Sequence, residues 1–290
     1  MGTFLEINPD LIQGHAKPMD GPYPAEGETP LVLIHDGGGT TYSYHLIGDL
    51  GRPVYGIFNP NYETGRKWEG GIPEMARHYL TLIKSVVPRG KIIIGGWSLG
   101  GLLSLEVAYL IATDPGNTLD LLGVVMVDSV CPIVVRPPPV PIVPRTIKWS
   151  DHTKQETRDR VLRCFDLARE MVAEWKMPQW KDEVSATREQ ENRNGEDRAN
   201  PNFNQRKTIS TGPRPPRIIL LRAMDIVPAE GGIAAVDTHR EDRLLGWEQY
   251  RKGLITTVMD VPGHHYSVFE LDNVDVTTEA LNKACLELEA

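Results

Sequence analysis

The sequence predicts an α/β domain built on a mostly parallel sheet, with helices on both faces and one long insertion. Three observations predict it. Short apolar runs recur along the chain, most are separated by segments of helical period, and the alternation breaks once, between Cys131 and Pro216. Strands that alternate with helices need crossover connections, which make neighbouring strands parallel and lay helices over both faces. A length of 290 residues suits one such domain with an elaboration.

Six runs rich in β-branched residues read as buried strands: Leu31 to His35, Val54 to Phe58, Lys91 to Gly95, Gly123 to Asp128, Arg217 to Arg222 and Thr256 to Val261. Pro73 suits a first helical position ahead of a helix from Glu74 to Val87, whose Met75, Tyr79, Leu82, Ile83 and Val86 share a face and which Pro88 and Gly90 end. A second helix is expected from about Leu99 to Ala112, stopped by Asp114-Pro115-Gly116. In the insertion a proline-rich stretch from Pro132 to Pro144 leads into a long helix from about Gln155 to Trp175. There Val161, Phe165, Ala168, Val172 and Trp175 make one apolar face. The polar stretch from Lys181 to Asn200 mixes both signs of charge and reads as a solvated connection. The core is thus expected over residues 1–131 and 217–290, with the insertion at 132–216.

Composition narrows the function classes. No stretch approaches the roughly 18 consecutive apolar residues of a membrane helix, and the first residues carry neither the basic nor the apolar region of a secretory signal. Glu6 breaks the myristoylation pattern. Three scattered cysteines, Cys131, Cys164 and Cys285, suit neither a disulfide framework nor a zinc cluster, so a reducing, cytoplasmic setting without a metal is expected. A formal charge of −8 argues against a nucleic-acid partner and for a small molecule or another protein.

The chemistry begins at Gly96-Trp97-Ser98-Leu99-Gly100, a G-x-S-x-G pattern that follows an apolar strand and opens an apolar helix. The bare pattern is weak, but that context is what a nucleophile elbow requires: glycines let strand and helix approach while a sharp turn lifts the serine hydroxyl above the sheet. A serine hydroxyl is a poor nucleophile at neutral pH, so Ser98 needs a base beside it and an acid behind the base. Such sites run Ser, acid, His along the chain. Downstream lie His152, His239, His264 and His265. The first two fall in polar segments and are expected at the surface, whereas His264 and His265 follow a strand, in the turn at Pro262-Gly263. Asp128, ending one strand, and Asp225, after the next, both qualify as the acid; the other would cap a loop.

The tetrahedral oxyanion needs two backbone N–H donors. Leu99, next after the nucleophile, is one, and the second is expected from the loop His35-Asp36-Gly37-Gly38-Gly39-Thr40, with Gly37 and Gly38 the candidates. A phosphate site is disfavoured there, because G-x-G-x-x-G is incomplete and no Walker lysine follows.

With these pieces the sequence resembles the thioesterase domains of nonribosomal peptide, polyketide and fatty-acid synthases, members of the α/β-hydrolase superfamily, and most of all fungal polyketide thioesterases. The resemblance rests on Leu31-Val-Leu-Ile-His-Asp-Gly-Gly-Gly-Thr40, Gly51-Arg-Pro-Val-Tyr-Gly-Ile-Phe58, Gly95-Gly-Trp-Ser-Leu-Gly-Gly101, Gly123-Val-Val-Met-Val-Asp-Ser129 and Val261-Pro-Gly-His-His-Tyr-Ser267. It implies an α/β-hydrolase fold with a helical lid over residues 132–216. It selects His265 over His264 as the base and Asp128 over Asp225 as the acid. His264 stands where the family usually has Asp or Asn, and Tyr266 where it has Phe.

The mechanism implied by the resemblance is acyl transfer from a thioester on the phosphopantetheine arm of an acyl carrier protein to Ser98, then release by hydrolysis or macrolactonisation. No further cofactor is implied. Phe165 and Trp175 are tentative lid residues lining the acyl chamber, or plain packing onto the core. A start at Met1 and about 30 residues before the first core strand suggest a free-standing enzyme serving a polyketide synthase in trans, with an excised domain as the alternative, and Arg136, Arg145 and Lys148 are candidate contacts to an acidic carrier. Rival readings are a carboxylesterase or lipase acting on small oxygen esters, and a non-catalytic hydrolase-fold binding protein.

Overall fold

The six apolar runs form consecutive parallel strands of one sheet. The structure, a computed structural model, describes residues 7–14, 28–144, 147, 149, 151–181 and 212–290. The strands are β2 (Leu31–Ile34), β3 (Val54–Ile57), β4 (Gly90–Trp97), β5 (Leu119–Val127), β6 (Ile218–Asp225) and β7 (Thr257–His264). A short strand β1 (Asp10–Gln13) adds an antiparallel edge beside β3, so the seven strands run β1-β3-β2-β4-β5-β6-β7. This is the α/β-hydrolase fold, with β4 at the centre.

Alternation of side chains along each strand sends one set to each face. Val32, Ile34, Ile92, Ile94, Val124, Met126, Ile218 and Leu220 pack with α1 (Gly71–Val86) and α2 (Leu99–Thr113). Leu31, Leu33, Ile93, Val125, Val127, Ile219 and Leu221 pack on the other face with Tyr44, Phe269 and the C-terminal helix. Because α2 lies between sheet and neighbouring helices, it is buried nearly all round, including Leu99, Leu103, Leu105 and Val107. Pro73 sits two residues inside α1 rather than at its first position, still within the turn where a missing N–H costs nothing.

The long helix of the insertion is α3 (Gln155–Glu174). Its buried line is Cys164, Ala168 and Met171, so the apolar face is turned slightly from the one expected, with Val172 and Trp175 at its flank. The short α4 (Trp247–Tyr250) and the final α5 (Val274–Glu289) complete the fold. All three cysteines are free and buried. Among the described residues no helix is long and apolar enough to cross a membrane.

Candidate active site

The turn between β4 and α2 carries Ser98 in a backbone conformation that L-residues rarely adopt, φ 56° and ψ −115°. The flanking glycines are required by space. A Cβ on Gly96 would lie 2.4 Å from the Ile34 carbonyl oxygen, and one on Gly100 would lie 2.1 Å from the same atom. Bare backbone therefore lets β2, β4 and α2 converge, and the turn presents Ser98 at the C-terminal edge of the sheet.

Three strands away from β4, β7 ends at His264, and His265 follows it. Its Nε2 lies 3.0 Å from Ser98 Oγ, and its Nδ1 lies 2.7 Å from Asp128 Oδ2. His265 is 1% exposed, while Ser98 is partly open. Its backbone is pinned by Trp97, whose Nε1 donates to the His265 carbonyl at 2.9 Å, and its ring meets Tyr266 edge-on at 4.7 Å between centroids. His264 points elsewhere: its Nδ1 accepts from the Tyr266 N–H at 3.2 Å. Asp225 is exposed at the end of β6, in register with His264, and makes no hydrogen bond to His265. Thus Ser98, His265 and Asp128 are the residues that come together.

Asp128 holds a second relationship that the sequence reading missed. Its backbone has a positive φ of 47°, which turns the buried carboxylate over the end of β6, where Oδ1 accepts from the Ala223 N–H at 2.9 Å. The Arg240 guanidinium then meets it with both prongs, Nη1 to Oδ1 at 2.6 Å and Nη2 to Oδ2 at 2.7 Å. Arg240 is held from behind by Asp237, whose Oδ1 lies 3.0 Å from Nε and whose Oδ2 accepts from the Val227 N–H at 2.8 Å. Burial works to raise the Asp128 carboxyl; hydrogen bonds from Arg240 and His265, with the charges of both, outweigh it and hold the group down at about 2. The signal in the sequence is the i, i+3 pair Asp237 and Arg240, in a segment too short and polar to show periodicity.

The glycine loop after β2 is ordered by Asp36, which takes the Gly38 N–H on Oδ1 at 3.0 Å and the Gly39 N–H on its carbonyl at 3.1 Å. Gly38 was expected as an alternative oxyanion donor; its N–H is already committed, which leaves Gly37 as the loop's remaining candidate beside Leu99. Phe165 of α3 covers this loop, its ring close to both Gly37 and Gly38. Trp175 instead turns to the core, its Nε1 donating to the buried Glu106 of α2 at 2.8 Å. Of the two candidate chamber residues, Phe165 therefore reaches the glycine loop and Trp175 packs on α2.

His239, expected at the surface, is buried: its Nε2 lies 2.8 Å from the Ile133 carbonyl, and its ring rests on Gly246, where a Cβ would come within 2.6 Å. His152 is exposed as expected, and so is Arg136, whereas Arg145, Lys148 and residues 182–200 lie outside the described residues.

Comparison with known proteins bears on the fold and the family. The family described as the alpha/beta hydrolase family matches residues 31–280. The probable thioesterase gloN of Glarea lozoyensis is 34% identical over 98% of this chain and 99% of its own length. The nonribosomal peptide synthetase imqB of Aspergillus flavus is also 34% identical, over 97% of this chain but 8% of its own. Among solved structures, the NocB thioesterase domain from the nocardicin cluster superposes with a TM-score of 0.56 at 20% identity, covering 89% of this chain and 93% of that one. The chain belongs to the alpha/beta hydrolase family and is a relative of this probable thioesterase and of a short part of this peptide synthetase.

Proposed function

We propose that this chain is a thioesterase that releases a polyketide-type acyl chain from the phosphopantetheine arm of a carrier protein, with Ser98 as nucleophile, His265 as base and Asp128 as acid. The observation that carries the reading is the line of hydrogen bonds from Ser98 Oγ to His265 to Asp128, at 3.0 and 2.7 Å. The fungal thioesterase supports the reaction class, and the match to a short part of a peptide synthetase supports a carrier-borne thioester as substrate.

His265 takes the Ser98 proton as Oγ attacks the thioester carbonyl, and the N–H groups of Leu99 and Gly37 receive the developing oxyanion. The C–S bond then breaks, the imidazolium returns the proton to the leaving thiol, and the acyl group stays on Ser98. In the second half His265 activates water, giving the acid, or a hydroxyl of the chain itself, giving a lactone. Asp128 keeps the imidazole in the tautomer with Nδ1 protonated. The insertion with α3 serves as a lid whose Phe165 roofs the oxyanion loop. Met224 and Ile226, exposed at the same edge of the sheet as Ser98, offer an apolar rim for the acyl chain. The carrier is a separate protein acting in trans, and Arg136 is the described candidate for meeting its acidic surface.

The test compares an acyl pantetheine thioester with an aryl ester of the same acyl group. Faster kcat/KM on the thioester, abolished in Ser98→Ala, supports the proposal. Preference for the aryl ester assigns an ester hydrolase, and retained turnover in Ser98→Ala refutes the nucleophile.

A further inference from the structure

We infer that Arg240 is a positioning residue for this acyl transfer, holding the Asp128 carboxylate as an anion in the plane where Oδ2 meets His265 Nδ1. The inference rests on the catalytic roles proposed above and adds a member that acts through another residue.

The hydrogen-bond inventory of Asp128 carries it. A carboxylate has two oxygens, and here each accepts twice: Oδ1 from Ala223 N–H and Arg240 Nη1, Oδ2 from Arg240 Nη2 and His265 Nδ1. The paired bonds of a guanidinium fix a carboxylate in plane as well as in place. Without them the carboxylate, which is fully buried, would keep only one backbone donor and the imidazole. Burial would then favour its neutral form, which offers His265 a poorer acceptor.

Arg240 itself has no freedom to turn away. Its Nε is held by Asp237, its Nη1 also donates to the Ala223 carbonyl at 2.8 Å, and it is buried with both carboxylates. A loop anchor would need only Asp237 and the backbone; the fork on Asp128 is additional and aims at the one carboxylate that touches His265. Two carboxylates against one guanidinium leave a net negative charge behind the imidazole, so the imidazolium formed in the reaction still finds an opposite charge.

A pH signature follows. The groups facing this cluster are His265 after β7, Arg240 and Asp237 after β6, and Ser98 beyond the imidazole; Tyr266 stands edge-on to His265, and Asp225 and His264 lie next along the strand ends. The Arg240 cation beside Asp128 holds its carboxyl down, so the anion that faces His265 persists to lower pH. Removing that cation moves the acid limb of the kcat/KM profile to higher pH, a change that a purely structural anchor would not produce.

The experiment uses the full chain with Arg240→Met, Arg240→Lys and Asp128→Asn, an acyl pantetheine thioester, and active-site titration by a fluorophosphonate so that rates refer to folded enzyme. For Arg240→Met the expectation is a kcat about 10²-fold lower at similar KM, in line with the cost of misplacing a reacting group by about 1 Å, and an acid limb at higher pH. Arg240→Lys keeps the charge without the fork, so its acid limb stays with the parent while kcat falls about tenfold. If Arg240→Met yields no titratable sites, the kcat of Arg240→Lys decides. Parental kcat per active site in the variants, with Asp128→Asn inactive, overturns the role of Arg240 alone. An active Asp128→Asn instead breaks the proposed function on which it stands.

Discussion

The ring of Phe165 lies against the backbone of Gly37, so close that a Cβ on that glycine would come within 2.9 Å of Cδ1. Helix α3 and the glycine loop proposed to hold the oxyanion are thus packed together, and the pair can be tested as a unit. Gly37→Ala should displace either the ring or the N–H beneath it and lower kcat about 10²- to 10³-fold, the usual loss of an oxyanion donor. Phe165→Ala makes room for the added methyl, so the double variant should recover part of that loss. A double-mutant cycle on kcat/KM checks this, with a coupling of about 0.5–3 kcal/mol expected for residues in contact and additive losses as the contrary result.

Asp128 and Asp225 end neighbouring strands, yet only Asp128 meets the imidazole. Asp128→Asn should cost about 10⁴ in kcat, as when a triad loses the group that sets its tautomer, whereas Asp225→Asn should leave kcat near the parent. Steady-state kinetics on both variants decide, and the reverse ranking moves the acid to β6.

His264 and His265 separate in the same way. His265→Ala removes the proposed base and should lower kcat about 10⁵- to 10⁶-fold, the scale of triad knockouts. His264→Ala removes an acceptor for the Tyr266 N–H and should act weakly. Equal losses would leave the base unassigned.

Much of this was legible in the sequence. Strands β2 to β6 announce themselves because both faces of a parallel sheet are buried, edge strand β7 because it still keeps a short apolar run, and the elbow because a glycine-flanked serine joins an apolar strand to an apolar helix. β1 was not legible: four residues at a half-exposed edge carry no pattern. Helix α5 adds a face that the strand pattern alone does not point to, with Val274, Thr277, Leu281, Ala284 and Leu288 at helical spacing. Arg240 and His239 were hidden for a different reason, since polar residues in a polar segment read as solvent-facing until tertiary partners are known. The choice of Asp128 over Asp225 came from family resemblance, because strand order alone permitted both.

Acid stability should fall in two steps. Buried His35, between the Asp36 carbonyl and the Tyr79 hydroxyl, is pushed down to about 4 by burial, which the bond to the Asp36 backbone only partly offsets. The unfolded chain therefore binds more protons between pH 6.5 and about 4, and a contribution on the order of 3 kcal/mol, full above 6.5, is lost as pH drops through that window. Asp128, held down at about 2 against an ordinary 3.8, adds a second loss on the order of 2 kcal/mol as pH falls from 3.8 towards 2. Urea unfolding as a function of pH should show a flatter slope in the first window for His35→Gln and in the second for Asp128→Asn; parental slopes in both would contradict the assignment.

The bond from Trp175 to Glu106 ties the end of α3 to α2 away from Ser98. Trp175→Phe should cost about 1–3 kcal/mol by leaving a buried carboxyl without its donor, with kcat unchanged. Thermal unfolding beside kinetics checks it, and a kcat loss without a stability loss would place Trp175 in the acyl chamber after all.

The proposed chemistry passes through an ester on a single oxygen. Mixing the protein with an acyl pantetheine thioester, quenching in acid and mapping the adduct by peptide mass spectrometry should find the acyl mass on Ser98, absent in Ser98→Ala and accumulating in the parent before product release. An acyl group on another residue, or product formed at the parental rate by Ser98→Ala, would contradict it.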